Sequence, residues 1–404
     1  MIPTRSLGER IASMRKSEGL TQAQVASRLG VSRTTVVAME KGSRRPTNEE
    51  LVELSGILGV SAHELLRKGP ARPEVAPRFR LSPKSKVANR AVEEAVQCLV
   101  KLGQNFVELE RTLEIQRSET ALEGINMYRT GSPGRLGDPA LAGENAALAV
   151  RRALGLGDSP ALMLDELFEI EGGLRIFYLD EIPSAVAGIF VWGEALGGCI
   201  GINRRHPHER RRWSLVHEVG HFLRDREAGD VLPTAGHPRR DPSEIFSETF
   251  TQEFLLPRTG VTKQFTDRCR SNGGSFSVAD VLWLAKLNEV SFQAMTLRLE
   301  GLGLLPSGTY ERLTARKFKP EEARRELGFR TEAERPRPPR FPARYISLAI
   351  EAYEQELISE GELADYLQTD RVSARHVYQE RRRRELDDGF EIELDLAERI
   401  LKPA

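Results

Sequence analysis

Cysteine is scarce in this chain: three in 404 residues (Cys98, Cys199, Cys269), far apart and in no paired motif. That excludes a disulfide scaffold and a cysteine-rich zinc finger, and it fits a reducing, cytoplasmic setting. Net charge is missing too, since 59 Lys and Arg balance 59 Asp and Glu. Any nucleic-acid site must therefore be a local patch, because the whole chain offers phosphate no general attraction. No apolar run approaches the ~20 residues that span a bilayer. Met1-Ile2-Pro3-Thr4-Arg5 leads into an amphipathic stretch without the apolar core of a signal peptide. Secreted and membrane-bound readings drop out, and a cytoplasmic protein is expected. There is no repeat of fixed period. The rest is ordinary for a globular protein: 40% hydrophobic and 29% charged residues, too apolar for disorder and long enough for two or three domains.

Proline and glycine mark three breaks. Residues 69–83 carry Gly69, Pro70, Pro73, Pro77 and Pro83; a second soft region runs from Gly131 to Pro139; a third is the proline-rich stretch Arg335–Pro342. The expected division is a first unit over 1–68, a linker over 69–85, a connecting or dimerisation helix within 86–130, a large domain over 140–305 and a helical region over 306–404. Within the connecting segment, Ala95, Leu99, Leu102, Phe106, Leu109 and Leu113 recur at spacings of four and three. That is one apolar stripe, which a lone helix cannot bury. It must pack on another part of this chain or on a second copy, so a homodimer is one expectation.

The first seventy residues read as five short helices. Leu7, Ile11 and Met14 share a face of the first. Thr21 caps a second, with Val25, Ala26 and Leu29 inward, and Gly30 ends it; Ser32 caps a third from Arg33 to Glu40. Thr47 opens a fourth with Leu51, Leu54 and Leu58, and Ser61 a fifth with Leu65 and Leu66. Two helices joined through Gly30-Val31-Ser32 form a helix-turn-helix, whose second helix can enter a major groove ~12 Å wide with its N-terminal residues at the base edges. These seventy residues hold 11 Lys and Arg against 7 Asp and Glu, and Lys41, Arg44 and Arg45 follow the third helix, where phosphates would lie. The run Leu20-Thr21-Gln22-Ala23-Gln24-Val25-Ala26 through Gly30-Val31-Ser32 to Met39-Glu40-Lys41-Gly42 resembles the XRE, or phage-repressor-type, family over residues 5–67. The resemblance implies operator binding on double-stranded DNA, with Gln22 on a phosphate and Arg33, Thr34 and Thr35 facing bases.

The strongest local signal lies mid-chain, in Trp213-Ser214-Leu215-Val216-His217-Glu218-Val219-Gly220-His221-Phe222-Leu223. Its apolar residues recur at helical spacing, so His217 and His221 project from one face a turn apart and can share one metal ion. Glu218 follows the first histidine directly, and in H-E-x-x-H peptidases this residue takes a proton from water rather than binding the metal. A catalytic zinc usually has a third protein ligand. Glu244 and Glu248, a turn apart in the stretch ending Phe254-Leu255-Leu256-Pro257, are the candidates, with Glu244 as ligand and Glu248 as acceptor for a ligating imidazole N–H. Two histidines and a glutamate favour zinc, with manganese as the alternative.

These stretches resemble the ImmA/IrrE family of metallopeptidases over roughly residues 160–305. The pattern is an Arg-rich lead (Arg210-Arg211-Arg212), H-E-x-x-H, and a glutamate-bearing helix ending in Phe, two apolar residues and Pro. The chain departs from it with Ser247, Glu248 and Thr251. Strands are expected at Leu174–Leu179, Ala185–Trp192 and Cys199–Ile202, and helices over Val278–Leu305, so the fold class is mainly α with a small β-sheet. Tyr178, His206, His208 and His237 are candidates to stabilise an oxyanion, and none can be selected. Arg381 to Arg384 read as a solvated helix face. Residues 341–378 carry apolar residues at helical spacing and resemble the helical tail that follows such a peptidase when it is fused to a repressor domain.

Three functions fit these residues. The chain is a DNA-binding regulator whose second domain cleaves a protein partner, a regulator whose peptidase fold senses a ligand, or the antitoxin of a toxin–antitoxin pair. DNA binding is common to all three.

Overall fold

A computed structural model describes residues 4–17, 19–58, 65, 78–80, 89–115, 120, 122, 138–226, 241–329 and 335–387. The fifth helix expected from Ser61, most of the linker, residues 123–130, His237 and the chain beyond 387 lie outside the described residues. Two compact units are formed: Met1–Glu108 with Gln116–Pro342, and Leu109–Ile115 with Ala343–Ala404.

The first unit begins with helices α1 (Thr4–Ser17), α2 (Gln22–Leu29), α3 (Arg33–Glu40) and α4 (Asn48–Ile57). Their ends follow from local chemistry. Thr21 Oγ1 accepts from the Gln24 amide while Gln24 accepts from the Thr21 amide, and Thr47 and Glu50 repeat this reciprocal pair at α4. Ser32 caps α3 through the Thr35 amide, and Gly30 turns the chain with φ 69°. Leu7, Ile11, Val25, Val36, Met39 and Leu54 form the centre of a separate small core.

A four-stranded sheet follows, in the order β1 (Arg78–Arg80), β3 (Gly188–Gly193), β4 (Gly197–Asn203), β2 (Arg175–Leu179), with β2 and β4 parallel and the other pairs antiparallel. All seven residues of β4 are buried, as expected for a strand covered on both faces. The strands match the three expected from sequence, with β1 added at the edge.

On one face lies α5 (Asn89–Thr112). Leu99 packs on Gly201, Gly103 on Cys199, and the Arg175 guanidinium sits 5.0 Å from the Phe106 ring centroid. The apolar stripe is thus buried within its own chain, with Ala95, Leu99, Leu102 and Leu109 all fully inaccessible. The helix ends at Thr112, where Glu114 enters the left-handed region (φ 55°) and the Ile115 amide closes back on Glu110; 86–88 and most of 116–130 lie outside the described residues.

On the opposite face lies α7 (His208–Asp225), where Phe222 touches Gly198. Helix α8 (Pro242–Leu255) packs on α7, and α6 (Pro139–Ala153) packs on α8. The domain is completed by α9 (Arg258–Ser271), α10 (Val278–Leu287), α11 (Phe292–Gly301), α12 (Thr309–Ala315) and α13 (Pro320–Glu326). Phe246, Phe250 and Phe254 line one side of α8, with centroids 6.3 and 5.7 Å apart, and anchor it in the core. Two glycines allow the close approaches that set the position of α8. A Cβ on Gly143 of α6 would lie 2.6 Å from the Phe246 carbonyl oxygen, and one on Gly220 of α7 would lie 3.0 Å from Ser247 Cα.

The second unit carries α14 (Ala343–Glu354), α15 (Glu360–Tyr366) and α16 (Arg371–Asp387). Tyr345 is fully buried there and donates from its hydroxyl to the Tyr366 carbonyl at 2.9 Å.

Gly143→Ala should push α6 away from α8 against backbone that cannot yield, and lower unfolding stability by about 1–3 kcal/mol. Urea unfolding of the two proteins measures it, and an unchanged midpoint would contradict the packing described.

Candidate metal centre and DNA-binding head

Helix α7 buries eleven of its eighteen residues, so its histidine face is fixed by packing rather than by solvent. His217 and His221 point their Nε2 atoms at each other, 3.2 Å apart. Glu244, in the first turn of α8 behind the Asp241 cap, brings Oε2 to 3.6 Å from His217 Nε2 and Oε1 to 3.4 Å from His221 Nε2. These contacts are long for hydrogen bonds, and Glu244 Oε1 is buried with no hydrogen-bond partner. Two ligands held at zinc's ~2.0–2.1 Å with tetrahedral angles stand ~3.3 Å apart. The three spacings match that figure, and among the described residues this is the group of His, Cys, Asp and Glu side chains able to hold a metal ion. The donor set fits such an ion.

The surroundings of His221 decide its tautomer. Its Nδ1 donates to Asp225 Oδ2 at 2.9 Å, with the Ser243 hydroxyl donating to the same carboxylate at 2.6 Å and Ser247 Oγ 3.2 Å from Nδ1. A proton on Nδ1 leaves the Nε2 lone pair facing the cluster, the form a metal ligand needs. Burial disfavours the charged imidazole, but the hydrogen bond to Asp225, the Glu244 carboxylate alongside and the charge of Glu218 outweigh it and push the His221 pKa up to about 9. Burial likewise opposes ionisation of Glu244, yet the two imidazoles beside it hold its carboxyl well below the usual carboxylate range.

The expected role of Glu248 is corrected here. Its side chain is exposed on the wall of the cleft, and the acceptor beside His221 Nδ1 is Asp225. The physical reason is helix phase: Glu244 and the serines at 243 and 247 face α7, which turns 248 toward solvent. Asp225 lies four residues after His221 on the same helix face, so its spacing was a readable signal.

The cluster opens on a cleft of about 800 Å³ whose walls include Ala185–Gly188, Arg210, Trp213, Glu218, Gln252 and Leu297. Glu218 is buried beneath Gly188 of β3. Of the arginine lead, Arg210 faces the cleft, while Arg211 and Arg212 are buried and donate to backbone carbonyls, including those of His206, Ala161 and Glu289. The spacing of seven between Arg210 and His217 is two helical turns, which places both on one side of α7. Tyr178, His206 and His208 do not line this cleft: Tyr178 donates to Asp165 at 2.7 Å, His206 Nε2 contacts the Ser184 carbonyl at 2.9 Å, and His208 Nε2 is 3.7 Å from Glu289.

In the head, Arg33 and Thr34 are exposed at the N-terminus of α3 and Thr35 is half-buried beside them. The hydroxyl of Ser32 lies 2.7 and 2.8 Å from those of Thr34 and Thr35. Gln22 donates to Glu40 at 2.8 Å, and the same carboxylate pairs with Arg15. This joins the start of α2 to the end of α3. Arg44 is drawn to Glu50, at 2.8 and 3.1 Å, and that hydrogen bond lowers the Glu50 pKa. Lys41 and Arg45 are exposed.

The comparisons with known proteins agree with both halves. A helix-turn-helix family model matches residues 11–65, and a model for the IrrE N-terminal-like domain matches 171–300. The regulator y4dJ of Sinorhizobium fredii (strain NBRC 101917 / NGR234) is 42% identical over 60 residues, 15% of this chain and 78% of that one. The HTH-type transcriptional regulator ImmR of Bacillus subtilis (strain 168) is 30% identical over 89 residues, 22% of this chain and 67% of that one. Of two further relatives the chain spans 57% and 51% of their length. The apo form of the competence regulator ComR from Streptococcus vestibularis aligns over 81% of this chain and 100% of that one, but 10% identity and a TM-score of 0.16 carry no argument. The chain belongs to the HTH-type transcriptional regulators. It is a DNA-binding regulator with an XRE-type head and an IrrE/ImmA-like central domain.

Asp225→Asn removes the charge that orients His221 and should weaken zinc binding by about 10–100-fold, whereas Glu248→Gln should leave it unchanged. Calorimetric zinc titration compares the two, and the reverse order would return the role to Glu248.

Proposed function

We propose that the central domain is a zinc-dependent peptidase that acts on a protein partner of the regulator. The reading rests on the spacing of His217, His221 and Glu244 around one tetrahedral position beside the buried acid Glu218. In this reading His217, His221 and Glu244 hold the ion. Zinc, when bound, polarises a peptide carbonyl and acidifies water. Glu218 accepts the proton of the attacking water and returns it to the leaving amine. Ala185–Gly188 and Trp213 flank an extended chain in the cleft, and Arg210 offers a cation at its mouth. Manganese would suit the same site less well, because two imidazoles favour zinc.

The head over 1–68 reads an operator through Arg33, Thr34 and Thr35, with Gln22, Lys41 and Arg45 on phosphates and Arg44 shared with Glu50. Repressor-type heads serve two-fold operators as homodimers. Because the α5 stripe is buried in its own chain, the dimer contact lies elsewhere. A cytoplasmic location keeps the three thiols reduced.

Two outcomes test this. Glu218→Gln should retain stoichiometric zinc yet lose cleavage, read as new protein N-termini in host lysate incubated with each zinc-loaded protein. Identical N-termini from wild type and variant would remove the peptidase. Arg33→Ala should cost about 1–3 kcal/mol on the best operator, measured by fluorescence anisotropy against duplexes selected from a random pool; equal affinity would unseat that base contact.

A further inference from the structure

The C-terminal unit repeats the capping and burial pattern of the head at a constant offset. Ser359 caps α15 and Glu362 returns the bond to its amide, as Thr21 and Gln24 do at α2, each 338 positions earlier. Leu363, Ala364 and Leu367 are buried where the head buries Val25, Ala26 and Leu29. Gln368 takes a positive φ of 49° at the place of Gly30 (69°). The Thr369 amide donates to the Ala364 carbonyl at 3.0 Å, as Val31 does to Ala26 at 3.0 Å. Asp370 caps α16 through the Ser373 amide, as Ser32 caps α3 through Thr35. Buried Ala374 takes the place of Val36, and α14 spans the positions of α1. Helix, turn and second helix therefore share caps, buried positions and a turn hydrogen bond in the two segments.

Geometry alone does not make a reader. The same turn recurs between α10 and α11, where Glu289 has φ 50°, the Val290 amide donates to Ala285 at 3.0 Å and Ser291 caps the next helix. There Ser291, Gln293, Ala294 and Leu297 line the metal cleft, so that helix serves as a wall. The C-terminal copy differs in exposure and charge. Steps of about 100° per residue put Arg371, Arg375, His376, Gln379, Arg382 and Arg383 on one face about 140° wide. All six are exposed; the carboxylates that approach them come from beside the arc, with Glu380 3.9 Å from His376 and Glu354 4.0 Å from Arg382. Val372, 75% exposed, stands at the second position of the helix within it, where a small apolar side chain can meet a thymine methyl. At 17 residues α16 is longer than α3, and extends the cations along the groove direction.

We propose that α15 and α16 form a second helix-turn-helix that binds duplex DNA, with α16 as its groove-facing helix. Arg371 holds the place that Arg33 holds in the head and reaches the base edges with Val372 and His376. Arg382 and Arg383 lie further along, against phosphate. Glu360, where the head has Gln22, is matched by Arg375 at 2.8 Å, so its charge does not stand alone before the backbone. The chain would then contact DNA at two places, with one contact from each unit.

The full-length protein tests this with a fluorescein-labelled mixed-sequence duplex of about 40 base pairs, long enough for contacts several helical turns apart. Affinity is measured across a salt series for wild type, R33A, R371A/R382A/R383A and R371K/R382K/R383K. Each phosphate contact contributes about 0.9 to the slope of log K against log salt, so the triple alanine variant, which removes Arg382 and Arg383 from phosphate, should lose about 2 of it. The triple lysine variant keeps the charges and should regain that slope. Alanine and wild-type curves that coincide would overturn the proposal, as would equal losses in both triple variants, which mark damage to the unit. So would a changed sedimentation mass with DNA binding intact, which would make this face a self-association surface. If R33A alone loses binding, the N-terminal head stands and the second site falls.

Discussion

Two imidazole nitrogens and a carboxylate oxygen held 3.2–3.6 Å apart in a buried site cannot rest there as bare lone pairs. A positive charge must lie among them, either a proton or a metal ion. Much of the central domain can be understood as the apparatus that keeps this unfavourable convergence in place. The three phenylalanines of α8 lock it into the core, Gly143 and Gly220 let α6 and α7 approach to backbone contact, and Asp225 and two serines turn the His221 ring so that the correct nitrogen faces inward. The same compression places Glu218 under β3, beside the cluster.

The helix-turn-helix is used in three ways within one chain. In the head it presents a short polar helix N-terminus to solvent. Between α10 and α11 the same turn, with its own positive φ and capping serine, builds the wall of the metal cleft. In the C-terminal unit it turns a cationic face outward. What separates these uses is which side chains the second helix exposes, since the turn itself is set by the same few backbone hydrogen bonds in every case.

The local chemistry was legible in the sequence. Thr21, Ser32 and Thr47 act on amides three residues away, so their capping could be read without knowing the fold. His217 and His221 lie one helical turn apart, and their common face follows from periodicity. The partners of Glu244 were legible because the family pattern joins two distant stretches. Glu248 and Asp225 exchanged roles because the choice between them depends on how α8 rotates about its axis, and that rotation is set by the three phenylalanines and Ser247 against Gly220. The correspondence of α15–α16 with α2–α3 is not legible in the sequence, because only Ala364, Leu367 and Arg371 keep the identities of Ala26, Leu29 and Arg33; the rest preserve burial and hydrogen bonding with different residues.

From its residues alone the chain is determined to be a mainly helical, DNA-binding regulator with a histidine-bearing helix suited to a metal, because capping, periodicity and i, i+4 spacing act over a few bonds. Tertiary structure alone decided that the α5 stripe covers a sheet of its own chain, that Asp225 rather than Glu248 orients the histidine, and that Arg210 faces the cleft while its two neighbours are buried. Each of these depends on which surfaces meet across long stretches of sequence, and packing settles that only when the whole core has formed.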